Sequence, residues 1–185
     1  MTRGLLVAFG HRAQVGKDTA ARGLGDGWVL MSFADRVRWV LEKIDPLIHY
    51  GPFGATRLSQ LLVGRSWETV KQENHEVRRL LQELAMGART YIDHSVWRDA
   101  VMFKALEQVR AGFNVAITDL RFPNEAEAIR GNGGRLIRID RPEAPRLDHL
   151  SESALDDWAH WDAVITNDGT PEDLVESVRA FLDGS

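Results

Sequence analysis

Ten residues, GHRAQVGKDT at positions 10–19, constrain this chain more than any other stretch. The apolar run Leu5-Leu6-Val7-Ala8-Phe9 leads into them, and Gly16-Lys17 opens a helical pattern reaching about residue 24. In an arrangement of strand, glycine-containing loop and helix, backbone N–H groups at the helix start converge on an anion. The lysine ammonium then reaches its terminal phosphates. The spacing departs from the regular phosphate loop. A glycine is expected five residues before Gly16, where His11 stands, and the nearest glycine is Gly10. Asp18 follows the lysine where a hydroxyl residue is usual, and the hydroxyl comes one residue later at Thr19. On the motif alone, an ordinary β–α turn using Gly16 is the competing reading.

A chain of 185 residues suits one domain, large enough to bury roughly 70% of the surface its unfolded form exposes. There is no cysteine, which excludes a disulfide framework, a thiolate metal site and a thiol nucleophile. The net charge of −4 argues against nucleic acid as the main partner. The apolar run at the N-terminus is short for a signal peptide, and no stretch approaches a membrane span. The expectation is a soluble cytoplasmic protein with small anionic partners and neither a nucleic-acid nor a membrane partner.

Further along, the apolar run at 28–33 suits a strand buried on both faces, with Asp35 at its carboxyl end. In an open α/β sheet, ligands bind at that end, so Asp35 reads either as a carboxylate orienting an acceptor or as the N-cap of a helix over 36–44. Residues 45–65 read as a loop with short helical pieces, in which His49, Tyr50 and Phe53 either wall a base pocket or pack on the surface. The exposed apolar content of 47–63 leaves room for a homodimer contact. Helical spacing over 76–91 places Val77, Leu80, Leu81, Leu84 and Ala85 on one face, with Arg78, Arg79, Gln82 and Glu83 beside it. A guanidinium there clamps a substrate phosphate or belongs to a solvated face. A second helix over 95–110 carries Trp97, which reads as core.

The strand at 114–118 delivers Asp119, Arg121 and Asn124 at its carboxyl end, with Asn124 placed to cap a helix over 125–130. Asp119 suits Mg²⁺ held through water and Arg121 an acceptor phosphate; a structural Asp119–Arg121 pair is the alternative. After a strand at 135–139, residues 141–152 lack apolar periodicity and carry Arg141, Arg146 and His149, which makes them a lid candidate or a plain charged loop. SESALDDWA then begins a short helix. A strand at 161–166 and a helix at 171–182, capped by Thr170, complete five short strands with helices between them. This is an α/β fold of three layers around a parallel sheet.

Several pieces in order carry a resemblance: GKDT at 16–19, FAD at 33–35, VRRLLQELA at 77–85 with Trp97 downstream, TDLRFPNEAEAI at 118–129, HLSE at 149–152 and ITNDGTPEDL at 165–174. Together they resemble the deoxynucleoside monophosphate kinases of tailed bacteriophages over nearly the whole chain. That family has the P-loop, nucleoside monophosphate kinase-like fold with a five-stranded parallel sheet. The resemblance implies transfer of the ATP γ-phosphate to a dNMP, with Mg²⁺, by a single kinase domain over 1–185. Its substrate-binding helical segment would span about 45–111 and its lid about 141–152. It implies His11, Ala13, Val15, Gly16, Lys17, Asp18 and Thr19 around the ATP phosphates, with Asn167, Gly169 and Thr170 near the adenine. Asp18 and Asp119 would serve the metal. Asp35, Arg79, Gln82, Trp97, Asp119, Arg121 and Glu152 would surround the dNMP. Lys17, Asp35, Arg121 and the lid arginines Arg141 and Arg146 would act on the transferring phosphoryl group. Family members usually carry glycine where His11 stands and a small residue where Val15 stands. Either the loop starts one residue earlier at Gly10, or His11 adopts the conformation glycine would have. Another small-molecule P-loop kinase, such as a dephospho-coenzyme A kinase, is the nearest alternative, and a non-catalytic nucleotide-binding switch is a more distant one.

Overall fold

The computed structural model describes residues 3–49, 54–144 and 150–184. Tyr50, Phe53, Arg146 and His149 lie outside them. The chain divides into two compact units, one formed by Met1–Phe33 with Arg98–Ser185 and the other by Ala34–Trp97.

In chain order the first unit holds β1 (Leu6–Gly10) and α1 (Lys17–Arg22), then β2 (Trp28–Met31). There α2 (Phe33–Ile44) carries the chain into the second unit. That unit contains the hairpin β3 (Leu47–His49) and β4 (Ala55–Arg57), followed by α3 (Leu58–Leu62), α4 (Trp67–Glu73) and α5 (His75–Tyr91). The return runs through α6 (Val96–Arg110) to β5 (Asn114–Leu120), α7 (Pro123–Gly131), β6 (Arg135–Asp140), α8 (Leu150–Ser153), β7 (Ala163–Thr166) and α9 (Pro171–Asp183).

Five parallel strands lie in the order β2-β5-β1-β6-β7. All five residues of β1 are buried, as the unbroken apolar run requires of a central strand covered on both faces. Period-two alternation splits it between two cores. Leu6 and Ala8 join Phe33, Val101, Ala105, Ile117, Ile129 and Leu136, whereas Val7 and Phe9 join Ala20, Ala21, Ile137, Leu174 and Val178. Helices α6 and α7 therefore cover one face, and α1 and α9 the other. β2 departs from the expectation of a doubly buried strand: it is the edge of the sheet, only half-buried, and ends at Met31.

Register brings the site together. Gly10 stands beside Leu120 on one side and Arg138 on the other. The carboxyl ends of β1, β5 and β6 are therefore neighbours. Between Ala8 and Gly10 the partner strand β5 takes one residue more than β1, an irregularity spanning Thr118 and Asp119. Such irregularities redirect side chains at the ends of strands.

The second unit has its own core of Leu41, Ile48, Leu58, Val70 and Val77, with Val37, Ala88 and Trp97 as a smaller cluster. It spans 34–97, because Leu41 of α2 packs with the hairpin while Val101, Met102 and Ala105 of α6 pack under the five-stranded sheet. The expected loop over 45–65 contains the antiparallel hairpin and α3. Ser66 caps α4, its hydroxyl accepting from Thr69 N–H at 3.1 Å. Among the described residues, no helix is long and apolar enough to cross a membrane.

Candidate active site

The loop between β1 and α1 has three residues on the left-handed side of φ: His11 at 89°, Gln14 at 59° and Gly16 at 104°. Of the two openings the sequence left, the structure takes the second, with His11 standing in glycine's conformation. Histidine tolerates this better than most residues, at a cost of about 1 kcal/mol. At Gly16 a side chain is excluded twice over, since a Cβ would also fall 2.6 Å from Asn167 Nδ2 and 3.0 Å from Leu174. Asn167 Nδ2 in turn donates to the Val15 carbonyl at 2.8 Å. Val15 is buried in the core beside Phe9 and Leu174, which accounts for a branched residue at this loop position.

Lys17 opens α1 and is buried. Its ammonium donates across the loop to the carbonyls of Arg12 and His11, the latter at 3.3 Å. Burial lowers its pKa from 10.5 to about 8, helped by the nearby Arg121 cation and opposed by Glu152, Asp119 and Asp18.

At the end of β5, Asp119 accepts from Phe33 N–H at 2.7 Å and Ser32 Oγ at 2.8 Å. It thereby caps the start of α2, the role that the sequence offered to Asp35. The helix begins two residues before Asp35, whose carboxylate instead pairs with Arg38 one turn along, at 3.2 Å. Arg121 donates to Glu152 Oε1, and Glu152 Oε2 accepts the Ala13 N–H of the loop at 2.7 Å. A carboxylate therefore already stands on a loop amide, within the fields of Arg121 and Lys17. Burial opposes its ionisation, but the Ala13 N–H and the Arg121 guanidinium outweigh burial and hold Glu152 below the usual glutamate value.

Glu125, rather than Asn124, satisfies the start of α7. The helix begins at Pro123, and the buried Glu125 carboxylate accepts from Arg121 N–H at 3.0 Å and Phe122 N–H at 3.1 Å. This is the returning half of a capping box, and it fixes the backbone from which Arg121 projects.

The ring of His11 is buried between two carboxylates. Nε2 lies 3.1 Å from Asp156, and Nδ1 lies 2.7 Å from Asp140 in poor alignment for a hydrogen bond. Arg12 forks onto both Asp156 oxygens at 2.9 and 3.0 Å, and Arg138 Nε reaches both Asp140 oxygens at 2.8 and 2.9 Å. Burial raises the Asp156 pKa, yet the bonds from Arg12 and His11 bring it below the usual range.

The other sequence-derived residues are distributed as follows. Thr170 caps α9 in a capping box with Asp173, so its hydroxyl serves the helix, and Gly169 sits where a Cβ would meet Asp173 Oδ2 at 2.7 Å. Asn167 braces the phosphate loop. Asp18 is exposed in the first turn of α1. Thr19, two residues from Lys17 and hence on another side of the helix, lines a groove of about 670 Å³ with Gly23, Val175 and Arg179. Arg141 is exposed in a turn closed by Ala144 N–H on its carbonyl.

In the second unit, Arg79 and Gln82 are exposed on α5, and Arg79 is held by Glu76 and Glu83 at 2.6 to 2.8 Å. Trp97 is core, its indole N–H donating to the Ala85 carbonyl at 3.0 Å. His49 is exposed. Sequence reasoning passed over Ser32, Asp140 and Asp156. Asp140 at a strand end carried a positional signal; the other two carried none.

Mg²⁺ prefers one or two carboxylates completed by phosphate and water oxygens. Asp18, exposed at the start of α1, and Asp119, at the end of β5, are the two carboxylates the sequence offers for this, and the charges of both act on Lys17.

The five-stranded parallel sheet, with its glycine-containing loop between β1 and α1, has the fold of the P-loop kinases. Over 99% of its length the chain superposes on the APS kinase of Mycobacterium tuberculosis with a TM-score of 0.52 at 14% identity, covering 99% of that protein. A sugar kinase from Janibacter superposes with a TM-score of 0.51 at 16% identity, over 99% of this chain and 95% of the other. At the level of sequence, the profile of the deoxynucleotide monophosphate kinase family matches residues 56–178, and the chain belongs to that family. A putative deoxynucleotide monophosphate kinase of Acanthamoeba polyphaga mimivirus is 39% identical over 92% of this chain and 92% of its own length. The deoxynucleotide monophosphate kinase of Enterobacteria phage T4 is 30% identical over 60% of this chain and 47% of its own.

Proposed function

We propose that this enzyme transfers the γ-phosphate of ATP to a deoxynucleoside monophosphate, giving ADP and a dNDP. The observation that carries the reading is the convergence of the Ala13 N–H and Arg121 on one carboxylate beside Lys17. Two donors, a loop amide and the Arg121 guanidinium, already gather around an anion within the field of Lys17, and family membership names the substrate class.

Phosphoryl transfer needs in-line positioning and cations to spread the transition-state charge, rather than covalent chemistry from the protein. Loop amides from Ala13 to Lys17 hold the ATP phosphates, and Lys17 neutralises the transferring group. A lysine lowered to about 8 regains its proton affinity when phosphate charge replaces lost water. Arg121 holds the acceptor phosphate, and the family resemblance assigns Arg79 and Gln82 of α5 to the dNMP. Asp35 orients it, and Arg141 adds charge from the segment after β6. The acceptor phosphate is itself a nucleophile near neutral pH, so no strong general base is required. Mg²⁺, held by Asp18 and Asp119, would screen the ATP oxygens when bound. Arg146, beyond the described residues, keeps the lid role the resemblance implies, and Leu47 and Val63, both exposed, are the candidate homodimer contacts.

The test is a coupled ADP-release assay with ATP, Mg²⁺ and each of the four dNMPs, beside a tube without acceptor. Turnover only with one or more dNMPs is expected and also reads out the base range. Equal turnover in all tubes would reduce the activity to hydrolysis and overturn the reading.

A further inference from the structure

His11 occupies a position where a phosphate loop ordinarily has glycine, and it does so with glycine's backbone sign. If that position needed only backbone freedom, glycine would serve better and a buried imidazole would be a burden. The ring is instead the middle of a charge chain. From β6, Arg138 holds Asp140, which faces Nδ1; beyond α8, Asp156 faces Nε2 and is itself gripped by Arg12 of the loop. On the backbone side, Lys17 Nζ donates to the His11 carbonyl. The His11 ring is therefore tied to segments 129 and 145 positions away in the chain, and Arg12 beside it to the second of them.

We infer that His11 is a positioning residue, whose clasp between Asp140 and Asp156 holds the loop turned so that the amides from Ala13 to Lys17 face the ATP phosphates. It acts through the loop backbone and does not itself touch ATP. Nε2 pairs with Asp156 and Nδ1 faces Asp140, so removing the ring takes a neighbour from both carboxylates at once. The inference deepens the kinase reading, since it concerns how that phosphate site is shaped.

Three substitutions separate side chain from backbone. H11G keeps the conformational freedom and loses the clasp, whereas H11A loses both. H11N tolerates the left-handed region and offers donors from a single nitrogen, which cannot face both carboxylates as the two ring nitrogens do. ATP affinity is read by calorimetry, and KM against kcat in the dNMP-dependent assay. Expected are a roughly tenfold weaker ATP Kd and higher KM for H11G and H11A, a smaller loss for H11N, and kcat within about threefold for all. D156N, which leaves the loop sequence intact, should weaken ATP in the same direction and stands in if a His11 variant fails to fold. ATP affinity in H11G equal to or better than wild type would overturn the inference, as would an unchanged D156N. Failure of the kinase reading would look different: a wild-type protein that binds ATP without turning over any dNMP.

Discussion

Arg121 reaches a glutamate 31 positions along the chain, and the Ala13 amide and the Arg12 guanidinium meet carboxylates 139 and 144 positions away. Arg79, in the other unit, pairs with Glu76 and Glu83, three and four residues off on the same helix. Lys71 with Glu68 and Arg38 with Asp35 repeat that local pattern. Around the phosphate loop the charges, Lys17 and Glu152 buried and Arg12 and Arg121 half-buried, are held by tertiary structure; on the second unit Arg79, Lys71 and Arg38 are held by neighbours on their own helix. Long-range partners fix a geometry before any ligand arrives. Neighbouring pairs on a helix hold an arginine loosely and release it at small cost. The first arrangement suits a charge that must be in place for chemistry, and the second a charge that must move to meet a substrate.

Removing the central buried charge should have the largest effect. K17M is expected to lower dNMP-dependent kcat/KM by more than about a hundredfold, as loss of one preorganised charge donor typically does. Circular dichroism should show the fold retained. The same variant has a stability signature. Lys17 is lowered to about 8 in the folded protein, so from about pH 8 up to its unfolded value the unfolded state binds more protons and folding stability rises with pH. Below that window both states are charged and this group contributes no slope. Wild type should gain roughly 2–3 kcal/mol across the window in urea titrations, and K17M should lack that gain. A slope surviving in K17M would place the titrating group elsewhere.

Next comes the contrast between the two arginines. R121A should raise the KM for dNMP by about 10- to 100-fold, the worth of a charged hydrogen bond, with a smaller change in ATP affinity. R121K should restore only part of this, because an ammonium lacks the fork. An equal loss for both substrates would move Arg121 to the donor side. R79A, removing a loosely held cation, should raise the same KM by no more than about tenfold; a larger loss than R121A would reverse the comparison.

What could be read from the sequence follows the same division. The loop was legible because a central strand, a glycine and a lysine are close in sequence, and the Thr170 cap because its Pro and two acids follow at once. The stripe on α5 matched for the same reason. Asp156 was not legible as a partner of His11, since nothing in SESALDDWA distinguishes it until β1, β6 and α8 are brought together. Neither was the role of Asn167, whose amide braces the Val15 carbonyl 152 residues earlier. The hairpin at 47–57 was missed because three-residue strands are too short for a period. The start of α7 was assigned to Asn124 on cap preference, although Glu125 carried the signal of the returning carboxylate.

Glu152 tests whether the buried arrangement is already filled by an internal anion. Its carboxylate accepts from the loop amide and from Arg121, two groups that the kinase reading assigns to phosphates. E152Q removes the charge and keeps the shape. ATP Kd should then fall by about threefold, less than one ordinary hydrogen bond in free energy. The KM for dNMP should rise by a similar factor, because Arg121 loses the partner that aims it. Opposite signs for the two substrates are the signature, measured by calorimetry and by the coupled assay. Weakening of both would make Glu152 a direct ligand of the nucleotides.

The smallest effect belongs to the exposed helix face. E83Q removes one of the two carboxylates on Arg79, a pair open to solvent at both ends. Coulomb attraction there is screened by water and salt and opposed by the entropy of ordering two long side chains. The melting temperature should stay within about 1 °C of wild type. Yet the same loss frees Arg79 from a competitor that an incoming phosphate would have to displace, so the KM for dNMP should fall, by about twofold or less. The two readouts move independently because one reports the helix and the other the hand-over of a guanidinium between carboxylate and phosphate. A drop of several degrees would show that Glu83 holds structure as Glu152 does, and the distinction between fixed and movable charges would no longer separate the two units.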